Sequence, residues 1–317
     1  MTDTPDHGGG IDAAAQRFGG HRADWMDLST GINPEPWPLP AFPPEAWTAL
    51  PDQAAFSALT QAARRFWDVP EGAMILPAPG ASALIARMPG LCPAAAAIPG
   101  PTYNEHARAF RAAGLPVSDG PAPVPAPVRV VVHPNNPDGR FWPGDGGTHL
   151  TVIDESFCDV TPEATQIARA ASPGTIILKS FGKFWGLAGL RLGFAIGHPE
   201  TLAPMAALIG PWAVSGPALH AGALALADTA WAEATRSRLA CDADRLDRLV
   251  TARGARLVGG TTLFRLYDLP EAAAWQTALA RHQIWSRCFP YNPRWLRLGL
   301  PPGHGWDRLA AALESCA

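Results

Sequence analysis

Cysteine is scarce and unpatterned in this chain. The five cysteines, Cys92, Cys158, Cys241, Cys288 and Cys316, are odd in number and none forms a C-x-x-C pair. No disulfide framework or zinc site is indicated, and a reducing, cytoplasmic compartment fits best. Excess charge is missing too: the formal net charge is −3, so nothing points to nucleic acid as a partner. Charged residues make up only 17% of the chain, but 47% are hydrophobic, which is a globular balance and not a disordered one. The opening MTDTPDHGGG is acidic and glycine-rich, unlike a secretory signal. Only one stretch, 204–227, lacks Asp, Glu, Lys and Arg for long enough to raise the question of a membrane span. Its prolines, glycines and His220 favour a buried segment instead, so no membrane partner is expected. No internal repeat is present.

Proline and tryptophan are abundant, at 34 and 12 residues. The prolines cluster in PEPWPLPAFPP (34–44) and PAPVPAP (121–127), which read as stiff connectors between elements. A chain of 317 residues buries a large core and is expected to form linked domains. The expected division is an irregular N-terminal arm over 1–45, a large domain over 46–205 and a smaller α+β domain over 206–317.

Periodicity predicts helices over 56–66, from about 80, and over 106–114, the last ended by Gly114. AAAAIPGPTY (94–103) reads as a short buried strand running into a loop. VRVVVHPNNP, HLTVIDESF and TIILKSFGK read as three further strands. Strands separated by helices predict an α/β fold with a mostly parallel sheet flanked by helices. Ligands bind at the carboxyl ends of such strands. Asn136, Asp154 and Lys183 each lie just past a predicted strand, so three polar side chains are expected in one region. From about 217 to 253 a long helical region follows. Strand-like pieces (255–268 and 294–301) and a helix (271–282) complete the C-terminal part.

The stretch SFGKFWGLAGLRLGFAIG (180–197) carries most of the chemistry. It sets Lys183 among glycines and apolar residues, with Arg191 downstream. A lysine in a confined, partly apolar site can lose its proton near neutral pH and become a nucleophilic amine. That is what a Schiff base with a carbonyl cofactor requires. The arginine offers a fixed fork for a phosphate. Together they suggest pyridoxal phosphate (PLP).

An ordered series of motifs narrows this reading. It runs through HGGG (7–10), DLSTGINP (27–34), LPD (50–52), PGPTY (99–103), HPNNPDG (133–139), IDESF (153–157), SFGKFWGLAGLRLG (180–193) and WLRLG (295–299). In this series the chain resembles fold type I PLP enzymes, the aspartate aminotransferase superfamily. Within it, the branch holding histidinol-phosphate aminotransferases and threonine-phosphate decarboxylases is most similar. The resemblance implies that Lys183 carries the cofactor and later shuttles a proton. It implies that Asp154 pairs with the pyridine nitrogen and that Asn136 hydrogen-bonds the ring hydroxyl oxygen. It places Tyr103 as the stacking aromatic. Gly80, Ala81 and Ser82, at a helix start, would cradle the cofactor phosphate, with Ser180 and Arg191 closing the cup. Arg297 would clamp the substrate carboxylate through its planar fork. Arg287 is a weaker candidate for the substrate's phosphate.

Three departures stand out. Leu50 replaces a tyrosine that reaches the neighbouring subunit's cofactor phosphate, Phe157 a tyrosine beside the ring hydroxyl, and Gly182 a serine or threonine. At roughly 1 kcal/mol net per lost hydrogen bond, weaker PLP retention is expected. The resemblance also implies a homodimer.

An aminotransferase removes the Cα proton, whereas a decarboxylase loses CO2, and the orientation of the substrate decides between them. The arm favours the decarboxylase. In threonine-phosphate decarboxylases such a segment helps hold the substrate phosphate, which here would involve His7, Gly8 and Gly9, with Gly31, Ile32 and Asn33 nearby. The expected reaction is decarboxylation of L-threonine O-3-phosphate to (R)-1-amino-2-propanol phosphate, the linker of the cobalamin nucleotide loop. The alternatives are a histidinol-phosphate-type aminotransferase and a catalytically silent relative that binds a ligand or partner.

Overall fold

The computed structural model describes residues 7–143 and 148–316. The chain divides into two compact units. One comprises Pro36–Asn136 and Arg140–Glu233. The other joins Met1–Glu35, Pro137–Gly139 and Ala234–Ala317.

The first unit is built on a seven-stranded sheet. Its strands run in the order Met74–Ala78, Gly193–Gly197, Thr175–Ser180, Leu150–Asp154, Val128–Val132, Ala96–Ala97, Val117–Ser118. The last five pair in parallel, while Gly193–Gly197 runs antiparallel to both its neighbours. The expected mostly parallel sheet is therefore present. LTVID is buried along its whole length, and TIILKS up to Ser180. Such continuous burial is what helices on both faces of a parallel sheet impose. Leu84, Phe110, Val130, Val152, Ile176 and Leu178 form the centre of the core.

Three strands of this sheet escape the sequence reading, the two-residue Val117–Ser118 and two longer ones. Met74–Ala78 contains Pro77, and GFAIG (193–197) is bounded by glycines, both depleted in strands. The proline is tolerated because its strand lies at the sheet edge, where a missing N–H is harmless.

The expected helix over 56–66 begins earlier, as Gln53–Phe66. Asp52 caps it, its Oδ1 accepting from the N–H groups of Ala54 and Ala55 at 3.0 and 3.4 Å. This helix packs against Gly216–Ala227. That contact explains why 206–233 belongs to the sheet unit, so the compact units do not divide at 205 as the sequence suggested. The long helical region also breaks at Asp228, whose Oδ1 accepts from the N–H of Trp231 at 3.0 Å. The apolar run 204–227 is split between the helices Pro199–Ile209 and Gly216–Ala227. Among the described residues no helix is long and apolar enough to cross a membrane.

The second unit carries a four-stranded antiparallel sheet, in the order Arg287–Phe289, Asn292–Gly299, Phe264–Asp268, Arg256–Thr261. Asp247 ties a helix to it, accepting from Arg265 Nη2 and the Tyr267 hydroxyl, both at 2.7 Å. A short parallel pair, Met26–Asp27 with Ile284–Trp285, brings the N-terminal residues into this unit. Residues 7–35 of the expected arm thus pack with the C-terminal part, whereas 36–45 belong to the sheet unit.

Candidate active site

Asp154 is the last residue of its strand and only 2% exposed. A buried carboxylate has to be hydrogen-bonded or lose its charge. Here His106 Nε2 lies 2.8 Å from Oδ2, and Ser156 donates to Oδ1 through its N–H at 3.0 Å and its hydroxyl at 2.5 Å. Burial alone would raise the Asp154 pKa, but these bonds outweigh it and hold the carboxyl below its usual range. Asp154 is therefore ionised at neutral pH.

Tyr103 packs edge-on against His106, with ring centroids 6.0 Å apart. Its hydroxyl is pushed up to about 12, first by burial, then by the charges of Asp154 and Glu105. Arg191 and a hydrogen bond with Ser82 pull it the other way. The same electrostatic neighbourhood thus contains Tyr103, Asp154, Arg191 and Ser82. The loop bearing Tyr103 is anchored by buried Asn135, whose Nδ2 donates to Pro101 O at 3.0 Å and whose Oδ1 accepts from Thr102 at 2.6 Å.

Gly80 and Arg191 face each other. Gly80 sits at φ 84° and ψ 155°. A Cβ there would lie 2.6 Å from Arg191 Nη2, so only glycine admits the guanidinium this close. Ala81 and Ser82 open the helix that follows. Ser180 ends its strand, and its hydroxyl accepts from the N–H of Gly182 at 3.2 Å.

The two neighbouring lysines have opposite environments. Lys179 is 2% exposed, with Nζ 2.7 Å from Glu155 Oε2 and 3.6 Å from Asp159 Oδ1. Trp67 and Trp185 donate to the two Asp159 oxygens at 2.9 and 3.1 Å. Burial disfavours the Lys179 charge, but the carboxylates outweigh it and hold its pKa above the usual range. Lys179 is a paired structural cation. Lys183 is half-buried and lies past the strand end, its Nζ 5.1 Å from the centre of the Phe157 ring. Phe157 thus covers the lysine with a ring face and offers no hydroxyl. Leu50 is 70% exposed. Asn136, after the strand Val128–Val132, is partly buried.

In the other unit Arg287 and Arg297 are register partners on adjacent antiparallel strands. Arg297 is 4% exposed and donates through Nη2 to Ser29 O. Burial, then the charge of Arg287, pushes its pKa down to about 10, which still leaves it cationic at neutral pH. Two opposed arginines in a partly buried setting favour an anionic ligand. Arg287 Nη1 donates to His7 O, and the Gly9 N–H donates to Ser29 Oγ at 2.6 Å. His7, Gly8 and Gly9 are therefore docked beside Arg287. Asn33 is buried, and its Oδ1 accepts from Arg238 Nη2 at 2.7 Å and from the Glu35 N–H at 3.1 Å, so that oxygen serves the fold.

Sequence reasoning missed His106 and Ser156. A signal for His106 was available: it follows Tyr103 by three residues, one helical turn, which puts the two rings on the same side. No group of acidic, histidine and cysteine residues suited to a metal occurs among the described residues.

The chain matches the family Aminotransferase class I and II over residues 23–315 and belongs to it. It is 44% identical to a threonine-phosphate decarboxylase of Sinorhizobium sp. and 40% identical to one of Pseudomonas aeruginosa, with 97% of each chain covered in both cases. Among solved structures, the histidinol-phosphate aminotransferase of Sinorhizobium meliloti, in complex with pyridoxal-5'-phosphate, aligns with a TM-score of 0.80. That match covers 97% of this chain and 95% of the other at 20% identity, a likeness of fold.

Proposed function

We propose that the chain is a PLP-dependent decarboxylase of L-threonine O-3-phosphate, releasing CO2 and (R)-1-amino-2-propanol phosphate. The full-length likeness to two threonine-phosphate decarboxylases carries the choice of substrate.

The residues present fit PLP. Asp154, ionised and buried, suits a protonated ring nitrogen. The glycine at position 80 leaves a cradle beside Arg191 that a Cβ would fill. Lys183, Asp154, Asn136 and Tyr103 would hold the ring, and Gly80, Ala81, Ser82, Ser180 and Arg191 its phosphate. When bound, PLP supplies an electron-withdrawing ring that accepts the electron pair of a bond broken at Cα.

In this reading the protein's own contribution is orientation, charge and proton supply. Arg297 takes the substrate carboxylate, and Arg287 with the His7–Gly9 segment takes the phosphate. Holding both handles selects which Cα bond lies ready to break. The Cα–carboxylate bond breaks, CO2 leaves, and a proton replaces it at Cα. The Lys183 ammonium is the proton donor. The Asp154 carboxylate keeps its negative charge throughout, since His106 and Ser156 stabilise that form. A homodimer and a cytoplasmic setting belong to the same reading. The five free cysteines support the latter.

The test is a paired turnover assay. Protein with PLP and threonine phosphate should release CO2. Failure to do so, with glutamate formed from histidinol phosphate and 2-oxoglutarate, would replace the decarboxylase by the aminotransferase. Lys183→Ala should abolish the visible absorbance of the lysine-bound cofactor.

A further inference from the structure

The N-terminal segment and the strand region carrying Arg287 meet at two matched points. Trp285 Nε1 donates to Gly9 O at 2.9 Å, and Arg287 Nη1 donates to His7 O. Residues two apart on an extended segment send their side chains to the same side. The carbonyls they take belong to residues that are also two apart. The Gly9 peptide is held from its other end as well. Its N–H donates to Ser29 Oγ at 2.6 Å, and that hydroxyl donates to Asp27 Oδ1 at 2.6 Å.

Trp285 is itself well fixed. It pairs in parallel register with Asp27, and its carbonyl accepts from the N–H of Leu28 at 2.8 Å. Its ring packs against Phe18 and Trp25, with centroids 6.3 Å away in each case. The helix Ile11–Phe18 buries Ile11 and Ala14 in a cluster with Trp25 and Ala280. Residues 7–9 are therefore short of slack, tethered by this helix directly downstream.

We propose that Trp285 is a positioning residue: through its indole N–H it orders the His7–Gly9 segment before any ligand arrives. Its consequence for turnover rests on the reading of that segment as part of the substrate phosphate site. Arg287 shares the task through His7, but among the described residues the Gly9 carbonyl is gripped by a side chain only at Trp285.

Trp285→Phe keeps most of the ring packing and deletes the N–H. In the full-length holoenzyme without substrate, hydrogen-exchange protection of the Gly9 amide should fall about fivefold, the worth of one hydrogen bond. Amides of Phe264–Asp268 should keep their protection. KM for threonine phosphate should rise by a similar factor while kcat stays within about twofold, as expected for lost uniform binding. Gly9 protection equal to that of the unaltered protein would overturn the proposal, and an unchanged KM beside a loosened segment would overturn its link to ligand binding. Should the variant not fold, the unaltered, unliganded protein still decides: random-coil exchange at Gly9 would refute pre-ordering. If the unaltered enzyme does not turn over threonine phosphate, the substrate reading fails while the exchange result stands by itself.

Discussion

Replacing Gly80 by alanine makes two separate demands on the turn after Met74–Ala78. The first concerns the backbone. At φ 84° and ψ 155° Gly80 occupies a region open essentially to glycine, and a side chain there costs about 1–3 kcal/mol. At about 2–4 °C per kcal/mol for a unit of this size, Tm should fall by roughly 2–12 °C. The second demand concerns Arg191. The new methyl would lie 2.6 Å from Nη2 and 3.1 Å from Cζ. A guanidinium ends a flexible chain and can swing away, so this collision adds little to the loss of stability. It does move the fork. Losing one charge-assisted hydrogen bond, about 1.5–3 kcal/mol, weakens phosphate binding by about 10- to 150-fold. Calorimetry of the cofactor-free protein reads the first effect, and titration with PLP reads the second. Gly193→Ala is the informative comparator. Its Cβ would meet the Ala81 nitrogen at 2.4 Å and the Gly80 carbonyl carbon at 2.7 Å, both backbone atoms that cannot swing. It should cost at least the roughly 1–3 kcal/mol of stability typical of overpacking and, because Gly80 and Ala81 themselves line the phosphate cradle, weaken PLP binding through the backbone with Arg191 untouched. PLP affinity within twofold of normal in Gly80→Ala would refute the assignment of Arg191 to the phosphate.

Three further outcomes are expected. His106→Phe removes a bond to the Asp154 carboxylate, so stability should fall by about 1.5–3 kcal/mol. A depressed carboxyl pKa stabilises the fold above the ordinary carboxylate range, and this contribution is lost as pH falls through the folded value. The acid limb of a pH–stability curve should therefore move to higher pH in that variant, and an unmoved limb would argue against the pairing. Lys179→Met strands Glu155 and Asp159 without their cation and should cost about 3–5 kcal/mol in urea unfolding. Because the Lys179 pKa is raised, its contribution is whole below about pH 10.4 and the loss should be equal at pH 6 and pH 9. Phe157→Tyr and Gly182→Ser each restore a hydroxyl near Lys183, and a Cβ at Gly182 meets nothing nearer than 3.4 Å. PLP retention on dialysis should improve by about fivefold for each.

The motifs around the strand ends yielded candidates because a common cofactor chemistry calls for particular residue types in a particular chain order. Lys183, Asp154, Tyr103 and Asn136 were named as candidates from such a series, and the strands Val128–Val132, Leu150–Asp154 and Thr175–Ser180 from their β-branched runs. The edge strand with Pro77 was not legible, since only its place at the rim of the sheet makes the proline harmless. Nor could sequence show that Gly216–Ala227 packs on Gln53–Phe66, because apolar helices carry no mark of their partner. The dependence of Asp154 on His106 crosses from a helix to a strand, a pairing that spacing along the chain does not encode. Trp285 was hidden for a similar reason: its partner is a backbone carbonyl, which every residue has.

Of the 25 basic lysine and arginine side chains only two are lysines, Lys179 and Lys183. One is sealed between carboxylates and indoles, so a single ε-amine stays addressable in the fold. Acylating or reductively alkylating reagents should therefore mark one side chain without any engineering. A lysine-specific endoprotease cuts after both residues and releases the peptide Ser180–Lys183. Any adduct on Lys183 blocks the second cut and makes that peptide vanish from the mass spectrum, so the occupancy of this one amine can be counted in a crude digest.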